Sequence, residues 1–277
     1  MDILNEFKHG ELYVKHATDN SPNDSSFPMH IHQTYEIYLF IKGRVKYLVE
    51  GSAYHLRPGS VLVIRPAESH KPKIIECAPY ERYNINFPAS LLKEYDPALR
   101  LLSPFDKREL GHDNMYSLSE LGNIPMQKFF YDMCHSKKDA YSTELKIKTN
   151  LLYILDAIND AYERRDRTFL QSKSREETII AYVNEHLSSE LSVPKLAEQF
   201  YLSVSQFNRI FKNATGASPW EYITVKRLST ARDLIRSGMD ISDVFEISGW
   251  GDYSSFYRAY TNRFGISPAE DKKVNQK

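Results

Sequence analysis

The C-terminal third contains one unit written twice. At an offset of 49 residues, Ser205 aligns with Ser254, Phe207 with Phe256, Arg209 with Arg258 and Phe211 with Tyr260. The register continues through Gly216 with Gly265, Ser218 with Ser267, Pro219 with Pro268 and Glu221 with Glu270. A duplicated unit must fold twice into the same local form. Phe207 and Phe211, like Phe256 and Tyr260, are four residues apart and share one helical face. Gly216 and Gly265 suit the left-handed residue that ends a helix. Ser218-Pro219-Trp220-Glu221 and Ser267-Pro268-Ala269-Glu270 read as capping boxes with Pro at the first helical position. Two copies make a duplication rather than a solenoid.

A shorter helix precedes each Phe-rich one. In the first copy Ser192 caps a helix carrying Leu196, Ala197 and Phe200, Tyr201-Leu202 turns, and Ser203 caps the next helix with Gln206 as its partner. In the second, Ile241 to Ser248 is the short helix, Gly249-Trp250 the turn and Asp252 the cap. Helix, tight turn and capped helix make a helix-turn-helix, whose second helix can enter the major groove. With the aromatic residues inward, Ser205, Gln206, Asn208, Arg209 and Lys212 form the polar face of the first reading helix. Tyr253, Ser254, Tyr257 and Arg258 are the equivalents in the second. Arg and Asn address base edges, while Ser and Tyr also serve phosphates. A solvated polar face is the plainer reading of either helix alone, and the duplication favours DNA. The joining helix, from Pro219 to about Ser237, would span about 27 Å, compatible with grooves that recur after about 34 Å. Along it Trp220, Ile223, Leu228, Ala231, Leu234 and Ile235 read as packing that fixes the separation of the units. Over this third of the chain Lys and Arg barely outnumber Asp and Glu. Binding must therefore rest on a local basic face, drawn from Arg209, Lys212, Lys226, Arg227, Arg258 and Arg263.

The chain up to about residue 90 has a different period. Tyr35 to Ile41, Val45 to Val49, Ala53 to Leu56 and Val61 to Ile64 are short apolar runs. Lys42-Gly43-Arg44, Glu50-Gly51-Ser52 and Arg57-Pro58-Gly59 punctuate them. That spacing predicts a β-sandwich or barrel, to which Ile74-Ile75 and Tyr83 to Phe87 add strands. From 91 to 168 the period returns to helical. Between Leu145 and Arg165, apolar residues at 147, 151, 154, 155, 158 and 162 share one face. The stripe fits either the chain's own barrel or a second copy as a dimerisation helix. Residues 164–173 read as a linker. The 36 Lys+Arg balance 36 Asp+Glu, which argues against a generally basic nucleic-acid coat. Cys77 and Cys134 are too few for a disulfide framework. There is no secretory signal and no run long enough to span a membrane, so a cytoplasmic protein is expected.

The C-terminal third resembles the DNA-binding domain of the AraC/XylS family of bacterial transcription regulators. The resemblance rests on Leu196-Ala197, the Ser203 to Gly216 stretch with Ser205, Phe207, Arg209, Phe211 and Lys212, and Pro219. It continues through Arg227-Leu228, Ala231, Ile241, Gly249-Trp250, Phe256, Arg258, Tyr260 and Phe264-Gly265-Ile266-Ser267-Pro268. It implies a seven-helix, tandem helix-turn-helix domain. There are departures. Phe245 stands where the family usually has a small Ala, Thr261 where Lys is common, and Asp271-Lys272 where an aromatic and an Arg are usual. The first region resembles a cupin. His30-Ile31-His32 with Glu36 and Gly43 fits the first cupin motif, and Pro58-Gly59 with Pro66 and His70 fits the second more loosely. The fold class implied is α+β multidomain. A cupin-like β-barrel with dimerisation helices (residues 1–168) precedes an all-α tandem helix-turn-helix domain (174–277).

Three readings of the barrel stand side by side. His30, His32, Glu36 and His70 are the ligand types of metal-binding cupins, and imidazoles with a carboxylate suit Fe(II), Mn, Ni or Zn. Sensor barrels of this family commonly carry such residues without metal, so no cofactor is expected. A small-ligand pocket is the second reading. Its effector contacts would be His30, His32, Glu36, Tyr38, Arg57 and His70, with Tyr35, Tyr47, Tyr54 and Tyr83 as further aromatic faces suited to a sugar. A barrel that only dimerises is the third. In function, a homodimeric transcription regulator controlled by a small polar effector competes with a metal-dependent cupin enzyme fused to a DNA-binding domain. The partners expected are operator duplex, effector and RNA polymerase.

Overall fold

The computed structural model describes residues 2–136, 139–165 and 173–274. The linker expected at 164–173 lies for the most part outside them. Two antiparallel sheets make up the first half. β1 (Asp2–His9), β2 (Leu12–Asp19), β8 (Tyr80–Phe87), β3 (Tyr35–Lys42), β6 (Val61–Ile64) and β9 (Met115–Tyr116) form one, in that order. β5 (Ser52–His55), β4 (Val45–Val49) and β7 (His70–Ile74) form the other. The apolar runs read as strands are therefore strands. The two N-terminal strands carry no such run. β1 is almost wholly exposed, and β2 alternates buried Leu12 and Val14 with half-exposed Tyr13 and Lys15.

β6 is apolar without a break, and β3 is so from Ile37 to Ile41, because both faces are covered. Side chains alternate across a strand, so Ile37, Leu39, Val61 and Val63 point one way and Tyr38, Phe40, Leu62 and Ile64 the other. The first set packs on α2 (Met126–Cys134) and α3 (Ala140–Arg164), with the short α1 (Ser103–Asp106) contributing Phe105. The second set meets Tyr47 and Val49 of the three-stranded sheet, giving the barrel-like interior. The helical stripe settles between its two readings here. Ile147, Leu151, Ile154, Leu155 and Ile158 have no exposed surface, and all lie in the core under their own sheet. The exposed large side chains of α3 are instead Tyr141, Leu145 and Tyr153.

The second half is helical: α4 (Arg175–Glu185), α5 (Val193–Gln199), α6 (Val204–Thr215), α7 (Pro219–Arg236), α8 (Ile241–Ile247), α9 (Tyr253–Phe264) and α10 (Pro268–Val274). α6 and α9 begin and end at matching places in the repeat. Ser203 and Asp252 cap them, accepting from Gln206 N at 3.2 Å and Ser255 N at 2.7 Å. Gly216 and Gly265 close them in the left-handed conformation, at φ 80° and 73°. The Ser267 and Glu270 box is reciprocal, whereas at Ser218 only the hydroxyl's bond from Glu221 N forms.

α7 belongs to both units. Tyr222 and Ile223 enter the core of the first, while Leu228, Ala231 and Ile235 enter that of the second. Trp220, expected in that packing, is 59% exposed although it shares the helical face of Ile223 and Ala231, because it stands in the first turn of α7, at the end of the helix. The family departure at Asp271 is structural. The carboxylate is fully buried and accepts from Arg232 Nε at 2.8 Å, Arg236 Nε at 3.0 Å and Tyr260 OH at 2.9 Å. Leu228→Ala should destabilise the helical half by about 2–5 kcal/mol, the usual cost of a buried leucine cavity. Denaturant unfolding followed by helical circular dichroism checks this, and an unchanged midpoint would contradict the packing.

Candidate nucleic-acid interface and ligand site

On α6, Ser205, Gln206, Arg209 and Lys212 are exposed and Asn208 is half-buried. On α9, Tyr253, Ser254, Tyr257 and Arg258 are exposed. The buried faces are held by Phe207 and Phe211, and by Phe256 and Tyr260, so each polar face points away from its own core. Two of these groups have local duties. The Gln206 side-chain oxygen accepts from Ser203 N at 3.1 Å, which leaves only its NH2 to reach outward. Arg258 Nε donates to Ser254 O at 3.3 Å. The left-handed turn residue is Tyr201 in the first unit, 95% exposed, and Gly249 in the second. A Cβ on Gly249 would sit 2.2 Å from Leu187 O, so a side chain has no room there.

Two cations expected on the basic face are not on it. Arg227 is buried, donating to Leu187 O at 2.9 Å and Ser189 O at 2.7 Å, and so it ties α7 to the end of α4. Lys226 is buried against Glu50 Oε1 at 2.7 Å. Both lie on inward sides of α7, because that helix is covered from two directions. Arg209, Lys212, Arg258 and Arg263 remain exposed.

Four of the six residues expected to contact an effector converge. His30 and His32 precede β3, Glu36 lies on β3 and His70 opens β7 of the other sheet. The His30 and His70 backbones form an antiparallel bridge with two bonds of 3.1 Å. Their rings lie 4.2 Å apart, and those of His32 and His70 lie 4.9 Å apart. Glu36 Oε2 is 2.7 Å from His32 Nε2 and 3.6 Å from His70 Nε2. The same carboxylate accepts from Asn84 Nδ2 and, at 3.2 Å, from Asn86 Nδ2. The other two do not join them. The Tyr38 hydroxyl faces that of Tyr80 at 2.7 Å in the interior between the sheets. Arg57 is exposed in the turn between β5 and β6.

The charges of the cluster follow from these contacts. Burial pushes the pKa of Glu36 up, but the His32 bond and the close approach of the His32 and His70 rings outweigh it and hold the carboxyl well below its usual range. Burial pushes His70 down, yet its contact with Glu36 and its bond to Glu68 O leave it raised. For His30, burial and then the nearby His70 lower the pKa to about 3, so this ring is neutral. His30 Nδ1 lies 3.2 Å from Pro28 O and His70 Nδ1 lies 2.8 Å from Glu68 O. His70 Nε2 is buried without a hydrogen bond. His32, Glu36 and His70 bring their ligand atoms within 4.8 Å of one another.

The pairing of Glu50 was not legible in the sequence. Glu50 and Gly51 are the two central residues of the hairpin joining β4 to β5, both at positive φ (46° and 92°). The buried carboxylate also accepts from Ser69 N at 2.6 Å, Asn184 Nδ2 at 2.8 Å and Tyr222 OH. Nearby, Ser52 Oγ donates to Glu177 Oε1 at 2.7 Å and Gln33 Nε2 to Ser229 Oγ at 2.6 Å. Tyr222, Lys226 and Ser229 fall on one face of α7, at helical intervals of four and three. That interval was readable, whereas the partner at residue 50 left no local signal.

Comparison with known proteins agrees with both halves. The AraC-like ligand binding domain matches residues 16–155, and a helix-turn-helix domain matches 196–273. The chain is similar to the thermoregulatory protein LcrF of Yersinia pestis, 24% identical over 84% of this chain and 87% of that one. It is also similar to the HTH-type transcriptional activator RhaS of Mannheimia succiniciproducens, 23% identical over 88% of each. The crystal structure of ToxT from Vibrio cholerae aligns over 95% of this chain and 98% of that one, at 12% identity and a TM-score of 0.36. The relatives are regulators, so the enzyme reading falls away. No helix among the described residues is long and apolar enough to cross a membrane. With a ligand-binding domain matched over half its length and a helix-turn-helix domain behind it, the chain belongs to the AraC family of transcription regulators.

Proposed function

We propose that this regulator grips operator duplex with α6 and α9 and answers to a small neutral polar effector held at His30, His32, Glu36 and His70. The observation that carries the DNA side is the pair of matched, capped helices with outward polar faces. They present Ser205, Asn208, Arg209 and Lys212 from one unit, and Tyr253, Ser254, Tyr257 and Arg258 from the other. On the effector side, Glu36 and His70 offset each other's charge and His30 is neutral. A site so balanced favours hydroxyl groups over an ion, and a sugar fits best. The sensor would be residues 1–168 and the DNA-binding domain 174–277, in a cytoplasmic homodimer. Exposed Tyr141, Leu145 and Tyr153 on α3 support the dimer. RNA polymerase as a further partner rests on the family alone.

A divalent cation at His32, Glu36 and His70 is the second reading, favoured by the orphaned His70 Nε2. Elemental analysis of the purified protein separates it, since a stoichiometric metal would replace the neutral effector.

Arg209→Ala should cost roughly 1–3 kcal/mol of specific binding if the guanidinium reads a base, with the fold intact. The measurement is titration of a duplex selected from a random library, and unchanged affinity would remove α6 from the reading role. For the ligand site, a panel of neutral monosaccharides is screened by thermal shift. His32→Ala should abolish whatever stabilisation the native protein shows. A variant stabilised like the native protein would place the ligand elsewhere.

A further inference from the structure

The segment from Met29 to Gln33 has two faces that touch different halves of the protein. Met29 is 6% exposed and belongs to the core of the first helix-turn-helix unit, with Phe207, Phe211 and Tyr222. Ile31 packs against the same core. Gln33 continues that side, donating to Ser229 Oγ on α7 at 2.6 Å. The alternate residues, His30 and His32, turn to the sensor and make the cluster with Glu36 and His70. The backbone is pinned between them. His30 is bridged to His70, and His32 O accepts from Ala67 N at 3.0 Å. Ala67 O in turn accepts from Lys226 Nζ of α7 at 2.9 Å.

From this alternation we infer that residues 29–33 are a strap that carries the state of the His–Glu cluster to α7. In a short extended segment adjacent side chains point to opposite sides of one backbone. A group that parts His32 from Glu36 must therefore shift Met29, Ile31 and Gln33 on the other side. The DNA-binding half supplies the receiving surface directly, with no intermediate element. A cleft of about 360 Å³ beside the strap, lined by His32, Gln33, Ser229 and Arg232 among others, gives it room to move. Loss of the Gln33 bond and withdrawal of Met29 would loosen α7, and α7 sets the spacing of α6 and α9. The inference rests on the effector reading for its biological trigger, but not for its mechanics.

Hydrogen exchange on the full-length protein without ligand tests the mechanics. His32→Ala alters only the cluster side, and Gln33→Ala only the α7 side. Each should speed exchange of the amides of residues 226–232 by about tenfold, within the roughly 5–150-fold range of coupled sites. The double variant should exchange no faster than the quicker single one, because both break the same relay. Exchange at the amides of α3 serves as control and should stay unchanged. If His32→Ala leaves α7 exchange as in the native protein, or if the two effects multiply, the strap is overturned. Met29→Ala is a third probe, with the same outcome expected at 226–232. The effector reading fails separately. A sugar that still stabilises His32→Ala sinks that reading while faster α7 exchange keeps the strap, and the reverse pattern sinks the strap alone.

Discussion

The buried Glu50 carboxylate is the constraint on which the docked arrangement depends. A charge taken out of water costs several kcal/mol unless it is paired and hydrogen-bonded. Here the partners come from both halves: Ser69 N from the sensor, and Asn184, Tyr222 and Lys226 from the DNA-binding domain. The hairpin holds Glu50 in the left-handed region, a strain of order 1–3 kcal/mol for a residue with a side chain. Gly51 beside it leaves no room for more, since a Cβ would lie 2.3 Å from Ile180 Cδ1 on α4. The turn is shaped for a close approach. Parting the halves would leave Glu50 without Asn184, Tyr222 and Lys226, and Lys226 without its carboxylate, so this contact holds the two halves in register.

α7 makes that contact consequential. Tyr222, Lys226 and Ser229 meet the sensor, Tyr222 and Ile223 fill the first unit's core, and Leu228, Ala231 and Ile235 fill the second's. Asp271 then binds Arg232 and Arg236 on its far end. One helix is thus both the spacer of the two reading helices and the surface that the sensor holds. A sensor bound there constrains both units at once without touching either polar face.

Much of this was legible in the sequence because local chemistry carried it. The repeat with its caps and Gly216 and Gly265 gave both helix-turn-helix units their bounds. Runs such as Val61 to Ile64 gave strands covered on both faces. The cluster of His30, His32, Glu36 and His70 was legible as a motif, and its convergence follows from the pairing of His30 with His70. What escaped was long-range or polar. β1 has no apolar alternation to betray it, and β2's alternation is interrupted by buried His16. Tyr38 points to the same side of β3 as Glu36, two residues before it, and its hydroxyl lies deeper in that interior, against Tyr80. Lys226 and Arg227 were misplaced because a helix covered from two sides has no single polar face, and Trp220 because the first turn of α7 lies beyond the packing that buries the rest of its face. Residue 50 and residue 226 are too far apart for any periodicity to join them.

The same inward commitments explain how a chain of zero net charge can bind a polyanion. Lys226, Arg227, Arg232 and Arg236 are spent on Glu50, backbone carbonyls and Asp271. Four cations, Arg209, Lys212, Arg258 and Arg263, stay exposed on or at the ends of the reading helices. Few neutralised phosphates mean a modest electrostatic contribution and a shallow dependence on salt. Affinity must then come from base contacts and from both units binding together, where the second gains from the high local concentration created by the first. That gain is lost when the spacing does not match the groove. In such a protein the position of α7 counts for more than the strength of any one contact, which makes the face held by Glu50 and the strap an economical place to apply control.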